Sequence, residues 1–160
     1  MLVFARDWVL LAYRLPREPS TPRAALWRAL RRLGAAQILD GLVALPADSR
    51  TREQLEWLAD GVIEASGEAT VWIGRPGSAA QERALAARMR LSIATEYLSV
   101  AQDARAAIAL PAGRRKRALG RLRRELRRIG RRDYFAADER QHAAEAVDAL
   151  AASLEARVAA

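Results

Sequence analysis

AAQILDGLVALP, residues 35–46, holds two short apolar runs on either side of Asp40-Gly41. An Asp-Gly pair suits the positive φ angles of a two-residue hairpin turn, and Pro46 closes the second run, so the stretch reads as two antiparallel strands. Upstream, Thr21 reads as an N-cap with Pro22 at N1; Leu26, Leu30 and Leu33 then recur at helical spacing and Gly34 supplies the stop. Downstream, Thr51 and Gln54 form a capping-box pattern ahead of Leu55, Leu58, Val62 and Ile63, with a stop near Gly67. Outside these helices lie two more runs of strand formers, WVLLAYRL (Trp8 to Leu15) and EATVWIG (Glu68 to Gly74).

The order β-α-β-β-α-β within about seventy residues predicts a ferredoxin-like α+β sheet with the first and third strands in the middle. Both of those strands are apolar on both faces: Trp8, Leu10 and Ala12 alternate with Val9, Leu11 and Tyr13, and Leu42 and Ala44 with Val43 and Leu45. Two helices cover one face only, so a further layer must cover the other.

The second half supplies a C-terminal three-helix extension. After the GRPGS turn (74–78), Ser78 and Gln81 make a capping pattern for a helix carrying Leu85, Met89, Ile93, Tyr97, Val100, Ala104 and Ile108 as far as Leu110. Pro111 and Gly113 break it, a basic helix follows, and Asp138 with Gln141 opens a last helix using Val147, Leu150, Leu154 and Val158. The expected division is a ferredoxin-like domain over 1–77 and an α-helical part over 78–160, packed on the sheet or on a second subunit.

Charge is concentrated in that basic helix. Residues 114–132 hold eleven Lys and Arg against one acid, Glu125, a net +10 in a chain of net +8, so the remaining residues sum to −2. On a helical wheel Leu119, Leu122, Leu126 and Ile129 share one arc, and Arg117, Arg121, Arg124, Arg128 and Arg131 occupy the opposite side over roughly 21 Å. The leucines dock the helix and the arginines face water. Like charges three and four residues apart repel, so a solvated face is less natural here than a surface that meets an anion. Ten Arg to one Lys favours bidentate contacts to phosphate or carboxylate. The apolar arc has no Trp or Phe to enter lipid, which argues against a membrane. DNA is the expected partner, with phosphate contacts from those five arginines and a homodimer as the simplest source of specificity.

Other chemistry is sparse. The absence of cysteine excludes disulfides, thiolate nucleophiles and thiolate metal sites. Arg6 and Asp7 interrupt the apolar amino end, MLVFARDWVLLAYRLP, which reads as a strand and not as a signal or a membrane span. His142 is the one histidine and has no neighbouring ligands, no Ser-His-Asp set can be built, and the pairs Glu53/Glu56 and Glu145/Asp148 read as solvated surface. No catalytic residue, metal or cofactor is expected. GRPGS with Arg75 admits an anion but reads as a tight strand-to-helix turn. The tryptophans, Trp8, Trp27, Trp57 and Trp72, read as core, with base stacking as the lesser alternative.

WVLLAYRLP, LWRALRRLGA, ILDGLVALP and RRDYF, in this order, resemble the N-terminal domain of the chromate-resistance regulator ChrB. The more specific parts are Trp27-Arg28 followed by Leu33-Gly34-Ala35, Asp40-Gly41 ending in Pro46, and Arg132-Asp133-Tyr134-Phe135. The resemblance implies a cytoplasmic, non-enzymatic regulatory domain in transcriptional control of chromate efflux, with chromate as the effector. The resemblance also implies that a further C-terminal domain is usual in ChrB regulators, so that this sequence is expected to be either a fragment or a stand-alone relative. At fold level they look like relatives of the phenylacetate repressor PaaX and of small CRISPR-associated nucleases. Those nucleases hold a metal with an Asp at the end of the first strand, where this chain has Arg14. A divalent oxyanion needs two or more converging Arg groups or helix N-terminal amides, supplied either by Arg132 beside the turn into DYF or by Arg114 and Arg115 at the start of the basic helix. RRDYF also admits a purely structural reading, with Asp133 paired to a neighbouring Arg and Tyr134 and Phe135 filling the bundle. The Arg face likewise admits a scaffold role against an acidic partner, and the domain an oxyanion-sensing one.

Overall fold

The computed structural model describes residues 6–156. It shows a mixed α+β fold with a four-stranded antiparallel sheet and, among the described residues, five helices. The chain forms two compact units that divide between Met89 and Arg90, twelve residues beyond the boundary expected at 77/78.

The first unit contains β1 (Trp8–Arg14), α1 (Thr21–Leu33), β2 (Ala36–Leu39), β3 (Leu42–Pro46), α2 (Ser49–Glu64) and β4 (Glu68–Gly74). Strand order is β2-β3-β1-β4, so the first and third strands take the middle, as their two-sided apolar character requires. Leu10 stands opposite Ala44 on one side and Trp72 on the other, and Leu11 opposite Val43 and Val71. Val9, Leu11, Val43 and Leu45 are buried on the face where α2 packs through Leu55, Ala59 and Val62. The other face carries Trp8, Leu10 and Ala44, and the opening turns of α3 (Ala79–Ala107) stand across a cavity from it, with Ala84 and Leu85 among the lining and Glu82 accepting from the Trp8 indole. The Ser78 hydroxyl accepts from Gln81 N at 3.2 Å to open that helix, as its capping pattern predicts.

The hairpin turn sits where Asp40-Gly41 predicts it. Gly41 has φ 76°, its carbonyl accepts from Tyr13 N at 2.8 Å, and a Cβ there would come 2.4 Å from the Tyr13 carbonyl oxygen. Gly61, in α2, has nothing within 4 Å of an added Cβ. Opposite effects follow in urea unfolding: Gly41→Ala is expected to destabilise by about 1–2 kcal/mol, whereas Gly61→Ala should stabilise by up to about 1 kcal/mol through helix propensity.

In this unit two helix starts differ from expectation. Asp48, not Thr51, caps α2: its Oδ1 accepts from Thr51 N at 2.7 Å. The Thr51 hydroxyl is wholly buried, donates to Pro46 O at 2.7 Å and accepts from Asp48 N at 3.0 Å. The carboxylate three residues upstream is the stronger cap, which moves Thr51 from the N-cap to N3. For α1, Ser20 precedes the helix without a side-chain cap bond and Thr21 is already helical, while Gly34 closes it at φ 72° as expected.

The second unit is a three-helix bundle of the remainder of α3 with α4 (Ala112–Gly130) and α5 (Glu139–Glu155). Its core joins Ile93, Tyr97, Val100 and Ala104 to Leu119, Leu122 and Ile129, and these to Val147 and Leu150. Pro111 stands at the N-cap of α4, and Gly113 lies within the helix instead of breaking the chain. One residue without an N–H is enough for the break, since the amides of Ile108, Ala109 and Leu110 already turn back to carbonyls three residues earlier. Asp138 makes no side-chain cap bond to α5, because its backbone is already helical at φ −62° and ψ −30°. Leu154 is half-buried, and Val158 lies outside the described residues, as do residues 1–5 of the amino-terminal strand reading.

Candidate nucleic-acid interface

Helix α4 divides as its sequence period predicts. Leu119, Leu122 and Ile129 are buried, Leu126 is half-buried, and Arg117, Arg121, Arg124, Arg128 and Arg131 are all exposed. The seam is anchored mainly against α5. Removing its leucines from water is the term that holds the arginines outward against their mutual repulsion.

Among the described residues, two ion pairs neutralise part of the row. Arg121 Nη2 meets Asp103 Oδ2 at 3.1 Å, and Arg128 donates to Glu125, which pushes the Arg128 guanidinium further up. Both pairs are exposed and contribute little to stability. Arg114, Lys116, Arg117, Arg123, Arg124 and Arg127 are exposed and have no ion pair among the described residues. Lys116, Arg123 and Arg127 were outside the expected stripe. They stand about 100–140° from Leu122 at 100° per residue, on the flank away from Glu125, and the sequence signal for them was that angle alone. The unpaired cation surface is therefore Arg117 and Arg124 with this second flank.

The two alternatives for an oxyanion lie at opposite ends of α4. Arg114 is exposed at the start of α4 and Arg132 lies past its end, roughly 27 Å along the axis. Arg115 is 4% exposed; Nη1 donates to Ser153 O at 2.8 Å and Nη2 to Leu110 O at 3.0 Å. It thus supplies positive charge and donors to the carbonyl end of α5 and to the turn after α3, where helix ends leave acceptors unmatched. Its position about 20° from Leu122, inside the apolar arc, was the readable sign of this burial. Arg132 forms a two-pronged pair with Glu96, with Nη1 to Oε1 at 2.6 Å, and its Nε is buried without a hydrogen-bond partner.

The RRDYF segment holds the turn between α4 and α5. Arg132 takes Glu96, so Asp133 does not form the Arg pair anticipated for it; it accepts instead from Tyr97 OH at 3.2 Å and from Ala137 N at 3.1 Å, beside Ala136 at φ 51°. Tyr134 and Phe135 are half-buried. Burial, followed by the Asp133 charge and hydrogen bond, pushes the Tyr97 phenol from 10.0 up to about 12. The folded value lies above the unfolded one, so this contribution is fully present below pH 10 and is lost as pH rises from 10 to about 12. Urea unfolding across that range should show an alkaline fall in stability that shrinks in Tyr97→Phe; an equal fall in both proteins would contradict the assignment.

Elsewhere, Arg75 Nε is paired with Asp7 Oδ1 at 2.7 Å, which leaves GRPGS as a turn. Arg14, at the end of β1, pairs with Glu68 at 2.7 Å. His142 is exposed, and no group of three or more His, Cys, Asp or Glu among the described residues is placed to hold a metal ion. No helix among them is long and apolar enough to cross a membrane. Only Trp8 is core; Trp27, Trp57 and Trp72 are 54%, 78% and 63% exposed. Trp27 and Trp57 lie on the outward sides of α1 and α2, the former under the Arg31 guanidinium, and Trp72 lies on the edge strand, bonded to Thr70. Strand and helix periods locate tryptophans on elements without saying which faces are covered.

A family described as Protein ChrB, N-terminal, matches residues 23–107. The chain is 33% identical over 90 residues to Protein ChrB of Cupriavidus metallidurans (strain ATCC 43123 / DSM 2839 / NBRC 102507 / CH34), a match covering 56% of this chain and 27% of that protein. The match therefore spans about a quarter of the relative's length. No solved structure matches. The family match runs from α1 to the end of α3, and α4 lies beyond it.

Proposed function

The chain belongs to the ChrB N-terminal family, and from that premise we propose that it is a cytoplasmic, non-enzymatic regulatory domain linked to chromate resistance, which binds DNA through the Arg-rich face of α4. The observation that carries the DNA reading is the set of exposed cations with no carboxylate partner among the described residues, Arg117 and Arg124 among them, on a helix whose opposite side is a buried leucine seam. Arg121, Arg128 and Arg131 extend the row. A row of guanidinium groups at helical rise follows a phosphate backbone and gives affinity with little sequence choice. A dimer on a two-fold site supplies the rest of the specificity. The ferredoxin-like plan is part of this reading, supported by the central positions of β1 and β3 in an antiparallel sheet.

Electrophoretic titration with upstream duplex and with random duplex DNA tests the proposal. Retention of both at low salt, with the upstream duplex retained more tightly, is the expected result. No retention of either would move the Arg face to an acidic protein partner.

A further inference from the structure

A cavity of about 390 Å³ lies within the first unit, on the sheet face that α2 does not cover. Its floor is Trp8, Leu10, Ile38 and Ala44, and its wall is Ala84 and Leu85 of α3. This is within the roughly 300–1,000 Å³ range of small-molecule pockets, and the mostly apolar lining is typical of them. The floor is held in place from behind. Trp8 is 1% exposed, and its indole Nε1 donates to Glu82 Oε1 at 3.2 Å, an oxygen that also accepts from Arg6 N at 3.1 Å. The Glu82 carboxylate is not part of the lining.

The rim is cationic and unequal. Arg75 is already matched by Asp7. Arg88 is exposed, gives one N–H to the Gln37 carbonyl oxygen and has no carboxylate partner among the described residues, so its remaining donors and its whole charge are available at the mouth. An apolar interior with one uncompensated guanidinium at the edge selects a ligand with the same asymmetry. A small divalent oxyanion is disfavoured, since the lining is apolar apart from Gln81 and the two rim arginines and offers few donors to replace its hydration. A neutral apolar molecule leaves the Arg88 donors unused.

We propose that this cavity binds a small amphipathic monoanion, a carboxylate on a compact apolar body, with the body against Leu10, Ala44 and Leu85 and the carboxylate on Arg88. The carboxylate to guanidinium contact fixes the orientation, and burial of the body supplies most of the affinity. This site is separate from the DNA reading of α4 and stands or falls without it.

Calorimetric titration of the full chain with 2-naphthoate tests it, beside neutral 2-naphthamide and sodium sulfate. Saturable binding of one 2-naphthoate per chain is expected, with 2-naphthamide and Arg88→Ala each weakening it roughly tenfold. Ala84→Trp, at an exposed helical position on the mouth, should abolish binding while circular dichroism stays unchanged; Arg88→Ala carries the test if that variant misfolds. Sulfate should not displace the ligand. Absence of saturable binding, affinity unchanged in both variants, or displacement by sulfate at comparable concentration would overturn the proposal.

Discussion

Replacing Arg117 and Arg124 together by alanine is expected to weaken duplex DNA binding roughly sixty-fold at 0.1 M salt. Each phosphate contact releases about 0.9 of a counterion, so two lost contacts remove about 1.8 logarithmic units relative to 1 M salt. These two are chosen because, unlike Arg121 and Arg128 in the same exposed row, they have no carboxylate partner among the described residues. The variant should be no less stable than the wild type, since exposed substitutions usually shift stability by less than about 0.5 kcal/mol and this one relieves like-charge neighbours. Loss of binding therefore cannot be assigned to unfolding. Arg28→Ala/Arg32→Ala, two exposed arginines of α1, is the control and should change affinity by less than about threefold. An equal loss in both double variants would mean that net charge, and not the α4 face, governs binding.

The second large effect is expected inside the bundle. Arg115→Ala should lower the stability of the helical unit by on the order of 3 kcal/mol, because it leaves the Leu110 and Ser153 carbonyls unmatched at about 1–3 kcal/mol each. Arg115→Lys should recover only part of this, since an ammonium cannot reproduce a fork that spans two carbonyls. Arg114→Ala, one residue away and exposed, should be nearly neutral. Urea unfolding of the three variants separates a structural clamp from an anion site: a neutral Arg115→Ala would show that the buried guanidinium does not join the helix ends. The same comparison bears on the oxyanion expectation, because Arg115 and Arg132 now have protein partners at Ser153, Leu110 and Glu96.

Elements governed by neighbours in sequence were legible. The Asp40-Gly41 turn, the stop at Gly34, β4 to the residue and the leucine seam of α4 all follow from turn chemistry or a single period. Features that depend on a partner distant in the chain were not. Asp103 lies 18 residues from Arg121, Glu96 lies 36 from Arg132, and Tyr97 lies 36 from Asp133, so no local pattern distinguishes these from solvated charges. The exposure of Trp27, Trp57 and Trp72 belongs to the same class. Arg115 is intermediate: its angle on the wheel placed it among the leucines, while its charge argued for water, and two helix-end carbonyls decided the outcome. For the candidate site, the sequence located the cationic helix and its outward side, and the structure added which part of the row is neutralised among the described residues.

The most direct test of the central reading is the salt dependence of wild-type DNA binding. With about five phosphates contacted, log K against log salt should fall with a slope of about −4 to −5. A slope near zero, with the α4 bundle folded, would contradict it.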